Sequence, residues 1–435
     1  MKYPKYPAYK DSGVEWIGKI PEGWKVIKLK YLCYNHDSKR IPVNAEDRSF
    51  KRGNIPYWGA NGIVDYVDDF LFNEELVLIG EDGAPFFERY KTVAFYLNEP
   101  IWPNNHVHVL SVREGLSAKY LTYSLNVTDY TNFVDGSTRD KLTKGKMAEI
   151  PIAVCNKNEQ FSILNFLEKR IQKTDSLISN LQKMIELLKE KRQAIITHAV
   201  TKGLEPNVPM RDSGVEWIGE IPSSWNVVQT KWLMSCNDEV IPENSPSSFE
   251  LTYVEISDVD FTRGITNREL MRFEDAPSRA RRKVRDGDII ISTVRTYLKA
   301  IAEIKAPDNN LVVSTGFAVL RPRKVLQSFA KYALSASYFI EKVISESFGV
   351  SYPAITADRL ISIKLAVPDI KTQEEIADLL DKQTMNIDSL VKKQEEMIDL
   401  LREHRFSLIS SAVTGKIDVR NLKINEISES NKYHG

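Results

Sequence analysis

Apolar positions recur in alternating steps of three and four along residues 159–201: Leu164, Leu167, Ile171, Thr174, Ile178, Leu181, Ile185, Leu188, Arg192, Ile195 and Ala199. This is the heptad a/d rhythm, which keeps one narrow seam of a helix facing a partner helix. Residues 372–414 hold the same register with Ala377, Leu380, Thr384, Ile387, Val391, Gln394, Ile398, Leu401, Arg405, Leu408 and Ala412. Aligning Asp175 with Asp388, 213 residues apart, superposes the runs and brings Arg192 onto Arg405. Neither run holds Gly or Pro, so each predicts one helix roughly 60 Å long at ~1.5 Å per residue. Asn156 with Glu159, and Thr372 with Glu375, are the expected N-terminal caps. Gly203 and Gly415 are the expected stops.

A second repeat precedes each helix. Asp11-Ser-Gly-Val-Glu-Trp-Ile-Gly-Lys-Ile-Pro returns as Asp212-Ser-Gly-Val-Glu-Trp-Ile-Gly-Glu-Ile-Pro, and Trp24 and Val26 are matched by Trp225 and Val227. Between motif and helix the two halves lose their likeness. Residues 28–132 and 231–348 carry short apolar runs bounded by Gly, Asn and Pro, the pattern of strands and turns. In the second half the strands include Asp288-Ile-Ile-Ile-Ser, Ala300-Ile-Ala-Glu-Ile and Phe317-Ala-Val-Leu-Arg. A helical patch (118–126, 329–345), a Gly-containing loop (135–139, 348–352) and a short strand (148–152, 361–365) close each half.

The expected fold is therefore α/β (α+β), with two domains at 1–158 and 205–371. Two long helices at 159–204 and 372–418 join them, and a polar tail spans 419–435. Seams of equal register suit antiparallel coiled-coil packing, so the internal duplication implies pseudo-two-fold symmetry. Ile171, Ile178, Leu181, Ile185, Leu188 and Arg192 on one helix, and Ile387, Val391, Ile398, Leu401 and Arg405 on the other, form the seam. Like frames with unlike contents offer two similar docking surfaces to one kind of partner and two different reading surfaces to one ligand. Double-stranded DNA has a matching approximate two-fold symmetry.

Composition narrows this further. The 435 residues are 42% hydrophobic and 27% charged, as in an ordinary globular protein of more than one domain. The first residues lack the apolar core of a signal peptide, and no window suits a membrane span. Three scattered cysteines, Cys33, Cys155 and Cys236, fit reduced thiols and a cytoplasmic location. Formal net charge is zero, which counts against a solitary DNA binder and leaves local basic patches or a complex.

Little in the sequence points to catalysis. There is no Asn-Pro-Pro-Tyr-like methylation motif, Walker loop or Gly-x-Gly-x-x-Gly. Asp288 with Glu303-Ile-Lys305 is the nearest nuclease-like pattern, but Asp288 opens a strand from a Gly-Asp turn. His106 and His108 alternate and so share a strand face, yet lack a Cys or carboxylate at metal-ligand spacing. No catalytic or metal residue is assigned.

DNA contact has better candidates. Arg279, Arg281, Arg282, Lys283 and Arg285 are too dense for a sheet interior, leaving a solvated loop or a phosphate-binding one. Arg295, Tyr297 and Lys299 alternate as on one strand face and would extend that patch. Arg139, Lys141, Lys144 and Lys146 form a weaker cluster. Asn61, Asn104, Asn105 and His106 are either base readers or turn formers.

These residues carry a resemblance. The Ser12-Gly-Val-Glu-Trp-Ile-Gly-x-Ile-Pro-x-x-Trp24 entry, the Gly80-Glu-Asp-Gly-Ala84 and Asn104-Asn-His106 turns, and the helices ending near Ala-Val-Thr are similar to the DNA-specificity (S) subunit of Type I restriction–modification systems. Ser278-Arg-Ala-Arg-Arg, Gly287-Asp-Ile-Ile-Ile-Ser-Thr-Val-Arg and Val313-Ser-Thr-Gly-Phe resemble a target-recognition domain of that family. The resemblance implies a non-catalytic subunit whose two domains each read half of a split, asymmetric target in which an adenine is methylated. It implies two methyltransferase subunits on the helices and restriction (translocase/nuclease) subunits beyond them. S-adenosylmethionine, ATP and Mg would belong to those partners. The other reading is a coiled-coil adaptor that joins proteins without touching DNA.

Overall fold

The computed structural model describes residues 3–136 and 139–422. Ser137 and Thr138 of the first Gly-containing loop, and 423–435 of the expected polar tail, lie outside them. The chain divides into two compact units, residues 1–181 with 396–435, and residues 182–395. Each unit takes part of both long helices.

In the first unit, Tyr9–Asp11 and Lys19–Pro21 form the repeat-motif hairpin, and Lys25–Lys28 pairs with Pro151–Val154. An antiparallel sheet follows in the order Cys33–Asn35, Val107–Val112, Leu76–Gly80, Ala94–Leu97. Leu76–Gly80 is buried throughout. Its side chains alternate between two cores, as a period of two requires. Val77 and Ile79 meet Leu121 and Leu125 of the helix Ala118–Asn126, while Leu76 and Leu78 meet Trp58, Phe72 and Ile101. The sheet is thus the middle of three layers, helix on one face and a smaller sheet on the other. That smaller sheet runs Gly62–Val67, Arg52–Gly59, Trp102–Pro103.

The second unit repeats this plan although its sequence between motif and helix does not. The hairpin Met210–Asp212 with Glu220–Pro222 and the ladder Asn226–Gln229 with Lys364–Val367 recur. So does the four-stranded order: Met234–Cys236, Phe317–Pro322, Ile289–Ser292, Ile301–Glu303. Ile289 and Ile291 face a helical layer containing Phe329 and Phe339, and Ile290 faces Val254, Val313 and Phe317. The second sheet gains a strand: Glu269–Arg272, Glu250–Val254, Leu311–Ser314, Ala280–Lys283. In both units the smaller sheet contains one parallel pair, Arg52–Gly59 with Trp102–Pro103 and Glu250–Val254 with Leu311–Ser314.

The long helices span Lys157–Lys202 and Ile370–Val413. Asn156 caps the first as expected, its Oδ1 accepting from the Glu159 amide at 3.0 Å. At the second the cap is Asp369 rather than Thr372. Its carboxylate accepts from the Thr372 amide at 3.1 Å and the Thr372 hydroxyl at 2.8 Å, so the helix starts earlier. A carboxylate beside the free amides of a first turn also gains from the helix dipole.

Within the second unit the helical segments run antiparallel, since Arg192 meets Asp388 while Met184 meets Gln394. Ile196, Ala199 and Val200 join Ile376 and Leu380 in the core around Trp225. Within the first unit Leu164, Leu167 and Ile171 join Leu408, Ile409 and Ala412 around Trp24. Buried Trp24 donates its indole N–H to Glu159 at 3.1 Å. Gly415 has φ +71, and a Cβ there would sit 2.3 Å from Pro21 Cδ. Only glycine fits both the left-handed stop and that contact.

The seam positions are buried or half-buried. Ile185, Ile387, Val391 and Ile398 are buried, and Ile178, Leu181, Leu188 and Leu401 are half-buried. Cys33, Cys155 and Cys236 are separate thiols, and burial pushes Cys33 and Cys155 up to about 12.

Candidate nucleic-acid interfaces

In the first unit the loop after Leu76–Gly80 collects the scattered candidates. Three backbone hydrogen bonds build it. The Glu81 amide donates to the His106 carbonyl, the Gly83 amide to Asp140 and the Leu142 amide to Glu81, each at 2.8 Å. Exposed Asn61 donates to the Gly83 carbonyl at 3.2 Å. Arg139 reaches the Asp82 carbonyl at 3.4 Å, and Lys141 Nζ lies 3.7 Å from the Asp82 carboxylate. His106 Nδ1 is 3.5 Å from the same carboxylate. Asn61, His106, Arg139 and Lys141 thus converge around Asp82, a residue the sequence reading passed over inside its Gly-Glu-Asp-Gly-Ala turn. Lys144 is exposed, and Lys146 is held by Asp135 at 2.6 Å.

The two other asparagines separate. Asn104 is buried, and its side chain accepts from the His106 amide at 2.7 Å, a turn former's role. Asn105 is exposed. The histidines do not share a strand face, because the strand begins only at Val107. His108 is fully buried, with Nδ1 2.6 Å from Asp37 and Nε2 2.8 Å from the Leu142 carbonyl. Burial alone would raise the Asp37 carboxyl. The hydrogen bond and electrostatic contact with His108, and a bond from the Val109 amide, overcome this and hold it at about 2. Arg40 completes this polar support, bonding Glu81 at 2.8 Å and the Val107 carbonyl at 2.6 Å.

The second unit uses the same backbone scheme. The Thr293 amide donates to Gly316 at 2.7 Å, Arg295 to Pro353 at 2.8 Å, and Ile355 to Thr293 at 2.9 Å. These match the three bonds of the first unit one for one, but the side chains differ. Arg295, Tyr297 and Lys299 are not on a strand. A single 3-10 turn, Thr296–Leu298, stands between Arg295 at φ +51 and Lys299 at φ +53. Two left-handed non-glycine residues in one loop cost about 1–3 kcal/mol each, and such strain concentrates at working sites.

The basic run is likewise not a solvated loop. Ala280–Lys283 is an edge strand against Leu311–Ser314. Half-buried Arg282 bonds Asn237 and the Phe317 carbonyl, Arg281 lies 4.7 Å over Phe273, and Arg285 pairs with Glu239 at 2.7 Å. Arg279 pairs with Glu255, and its carbonyl accepts from the Thr315 amide, beside the Gly316 of the loop scheme. Lys283 is half-buried on the same strand. Asp288 is buried and clasped by Arg321 through two bonds of 2.7 Å, which explains its sequence pattern structurally. Among the described residues no group of three or more His, Cys, Asp or Glu could hold a metal ion, and no helix is long and apolar enough to cross a membrane.

Comparison with known proteins agrees with this duplicated architecture. The family model of the Type I restriction modification DNA specificity domain matches residues 21–187 and 265–399. The chain belongs to that family. It is 26% identical over 380 residues to a putative type I restriction enzyme specificity subunit of Haemophilus influenzae, covering 84% of this chain and 90% of that one. It is 23% identical to the type I restriction enzyme MjaVIII specificity subunit of Methanocaldococcus jannaschii, covering 93% and 95%. A solved structure from work on complex assembly and conformational transition of the type I R-M system shares the fold. Its TM-score is 0.55 at 16% identity, over 91% of this chain and 98% of that one.

Proposed function

We propose that each unit's loop cluster reads one half of a bipartite, asymmetric DNA target. The observation that carries this is the shared scheme of three backbone bonds bearing unlike side chains. Equal backbones hold two readers in equivalent poses, and different side chains give them different sequences to recognise. Asn61 suits an adenine edge and Asp82 a cytosine amino group, while Arg139 and Lys141 suit phosphates. In the second unit Arg279, Arg295 and Lys299 take the phosphate role. Asp82 occupies the cations until DNA arrives.

The helices dock two methyltransferase subunits. The seam is used within the chain, so docking falls to the outer faces. In the second unit Met184 and Leu187 are 48% and 64% exposed, and in the first unit Met397 and Leu400 are 48% and 60% exposed. The two pairs stand 213 residues apart, so the duplication retains the same exposed apolar pair twice. Adenine methylation, S-adenosylmethionine, ATP and Mg belong to the methyltransferase and restriction subunits, and the assembly works in the cytoplasm.

The test is duplex binding by the chain with its methyltransferase subunit across a salt series. Affinity should fall steeply with salt and depend on the target sequence. Assembly with the methyltransferase but no duplex affinity would favour the adaptor instead.

A further inference from the structure

The second unit carries an exposed apolar tip beside its loop cluster. Phe348, Tyr352, Tyr297 and Leu298 are 65%, 60%, 52% and 46% exposed, and Val350 is fully exposed. The tip is braced. Phe348 and Ala354 exchange two backbone bonds of 2.9 Å, and Gly349 makes the turn at φ +118. Val294 bridges to Ala354, tying the hairpin to the loop after Ile289–Ser292. Two guanidiniums flank it, Arg295 4.7 Å from the Tyr352 ring and Arg359 4.5 Å from the Phe348 ring. The equivalent hairpin of the first unit has Asp135, Arg139, Asp140 and Lys141 there, and no exposed aromatic among its described residues.

An exposed apolar patch with a charged rim marks a surface that something else covers. Building on the DNA reading above, we propose that the 348–352 hairpin is a wedge that enters a duplex groove at the second half-site. Val350, Phe348 and Tyr352 contact base edges there, while Arg295 and Arg359 hold the phosphates on either side. Charge complementarity selects DNA, since the groups placed on the rings themselves are both cations, with Glu346, 4.0 Å from Arg359, held by Lys342 at 2.7 Å. Apolar side chains meet thymine methyl groups in the major groove, and wedge between base steps in the minor groove. The first unit's hairpin is charged instead, so the two hairpins meet DNA by different physics, although Phe87 is exposed elsewhere beside the first loop cluster.

An apolar contact displaces no counterions, which separates it from a phosphate contact. The experiment uses the full chain with its methyltransferase subunits and a duplex carrying its target. Val350→Ser and Tyr352→Ser should each lower affinity roughly tenfold and relax discrimination at the second half-site alone. The slope of log affinity against log salt should stay as in the parent. Arg359→Ala should instead flatten that slope by about one unit. Melting curves should be unchanged, because these side chains are exposed, and Val350→Ala provides a milder variant. Parent-like affinity and discrimination in both serine variants overturn the wedge, and so does loss of methyltransferase assembly, which places the hairpin in a protein interface. A parent complex that binds no duplex overturns the DNA reading itself, and is told apart because it needs no variant.

Discussion

Arg192 lies 2.9 Å from Asp388 across the helix pair of the second unit, and Arg405 lies 3.1 Å from Asp175 in the first. The duplication maps each ion pair onto the other. Arg192 adds a long hydrogen bond from Nη2 to the other Asp388 oxygen, at 3.4 Å. The arginines therefore fix helix register inside the chain, the role a charge in an apolar seam usually has.

Replacing Arg192 by Leu strands Asp388 and should cost about 1–2 kcal/mol, seen as a lower melting temperature. Arg405→Leu should cost less, because its side chain is 34% exposed against 15% for Arg192. The reversed pair Arg192→Asp with Asp388→Arg should recover most of the loss. Equal melting of the single and reversed variants would remove the pair from the account.

We expect Arg282 to serve the stability of the second unit more than DNA binding. Its guanidinium is half-buried on Asn237 and the Phe317 carbonyl, and burial lowers its pKa. Arg282→Ala removes the donor to the Phe317 carbonyl and leaves Asn237 Oδ1 with the Val319 amide alone, and should cost roughly 1–3 kcal/mol of stability. Arg279→Ala, at an exposed side chain, should leave melting nearly unchanged and flatten the salt slope of duplex binding. The opposite assignment of effects would return Arg282 to the DNA surface.

Asp37 gives the first unit an acid-sensitive support. Its folded pKa, about 2, is below the ordinary carboxylate value, so its contribution is present above pH ~4 and disappears as pH falls toward 2. Asp37→Asn should lower stability by about 2 kcal/mol at neutral pH, and the gap from the parent should close between pH ~4 and ~2. Denaturant titration at several pH values checks this. A gap independent of pH would show that packing, not charge, is what the substitution removes.

The duplication also predicts a working half. Residues 1–208 lack Leu408, Ile409, Ala412 and Val413, which complete the core around Trp24. Ile195, Ile196, Ala199 and Val200 are their counterparts at the end of the first helix. A second copy supplies them, so the half-chain should form a dimer on gel filtration and, with methyltransferase, modify a palindrome of the first half-site. Methylation at the original asymmetric sequence would refute separate readers.

Helices and repeat motif were legible because their signals are local: a heptad rhythm and an eleven-residue motif that returns with one change, Lys19 to Glu220. The shared four-stranded sheet was not. Leu76-Val-Leu-Ile and Ile289-Ile-Ile are alike only as buried apolar runs, interchangeable without any identity. Alternation misled at Arg295, Tyr297 and Lys299, since left-handed dihedrals leave no trace in residue type when Arg and Lys adopt them. Density of charge misled at Arg279 to Arg285, because an edge strand tolerates arginines that find acceptors on neighbouring loops. Asp37 and His108, 71 residues apart, meet only after the sheet forms.

The most direct measurement is a map of methylated bases in cells expressing the whole chain with its methyltransferase subunit. Two readers on matching backbones with different side chains predict methylated adenines in a split target with unlike halves. A single contiguous motif, or a palindrome, would contradict two distinct readers.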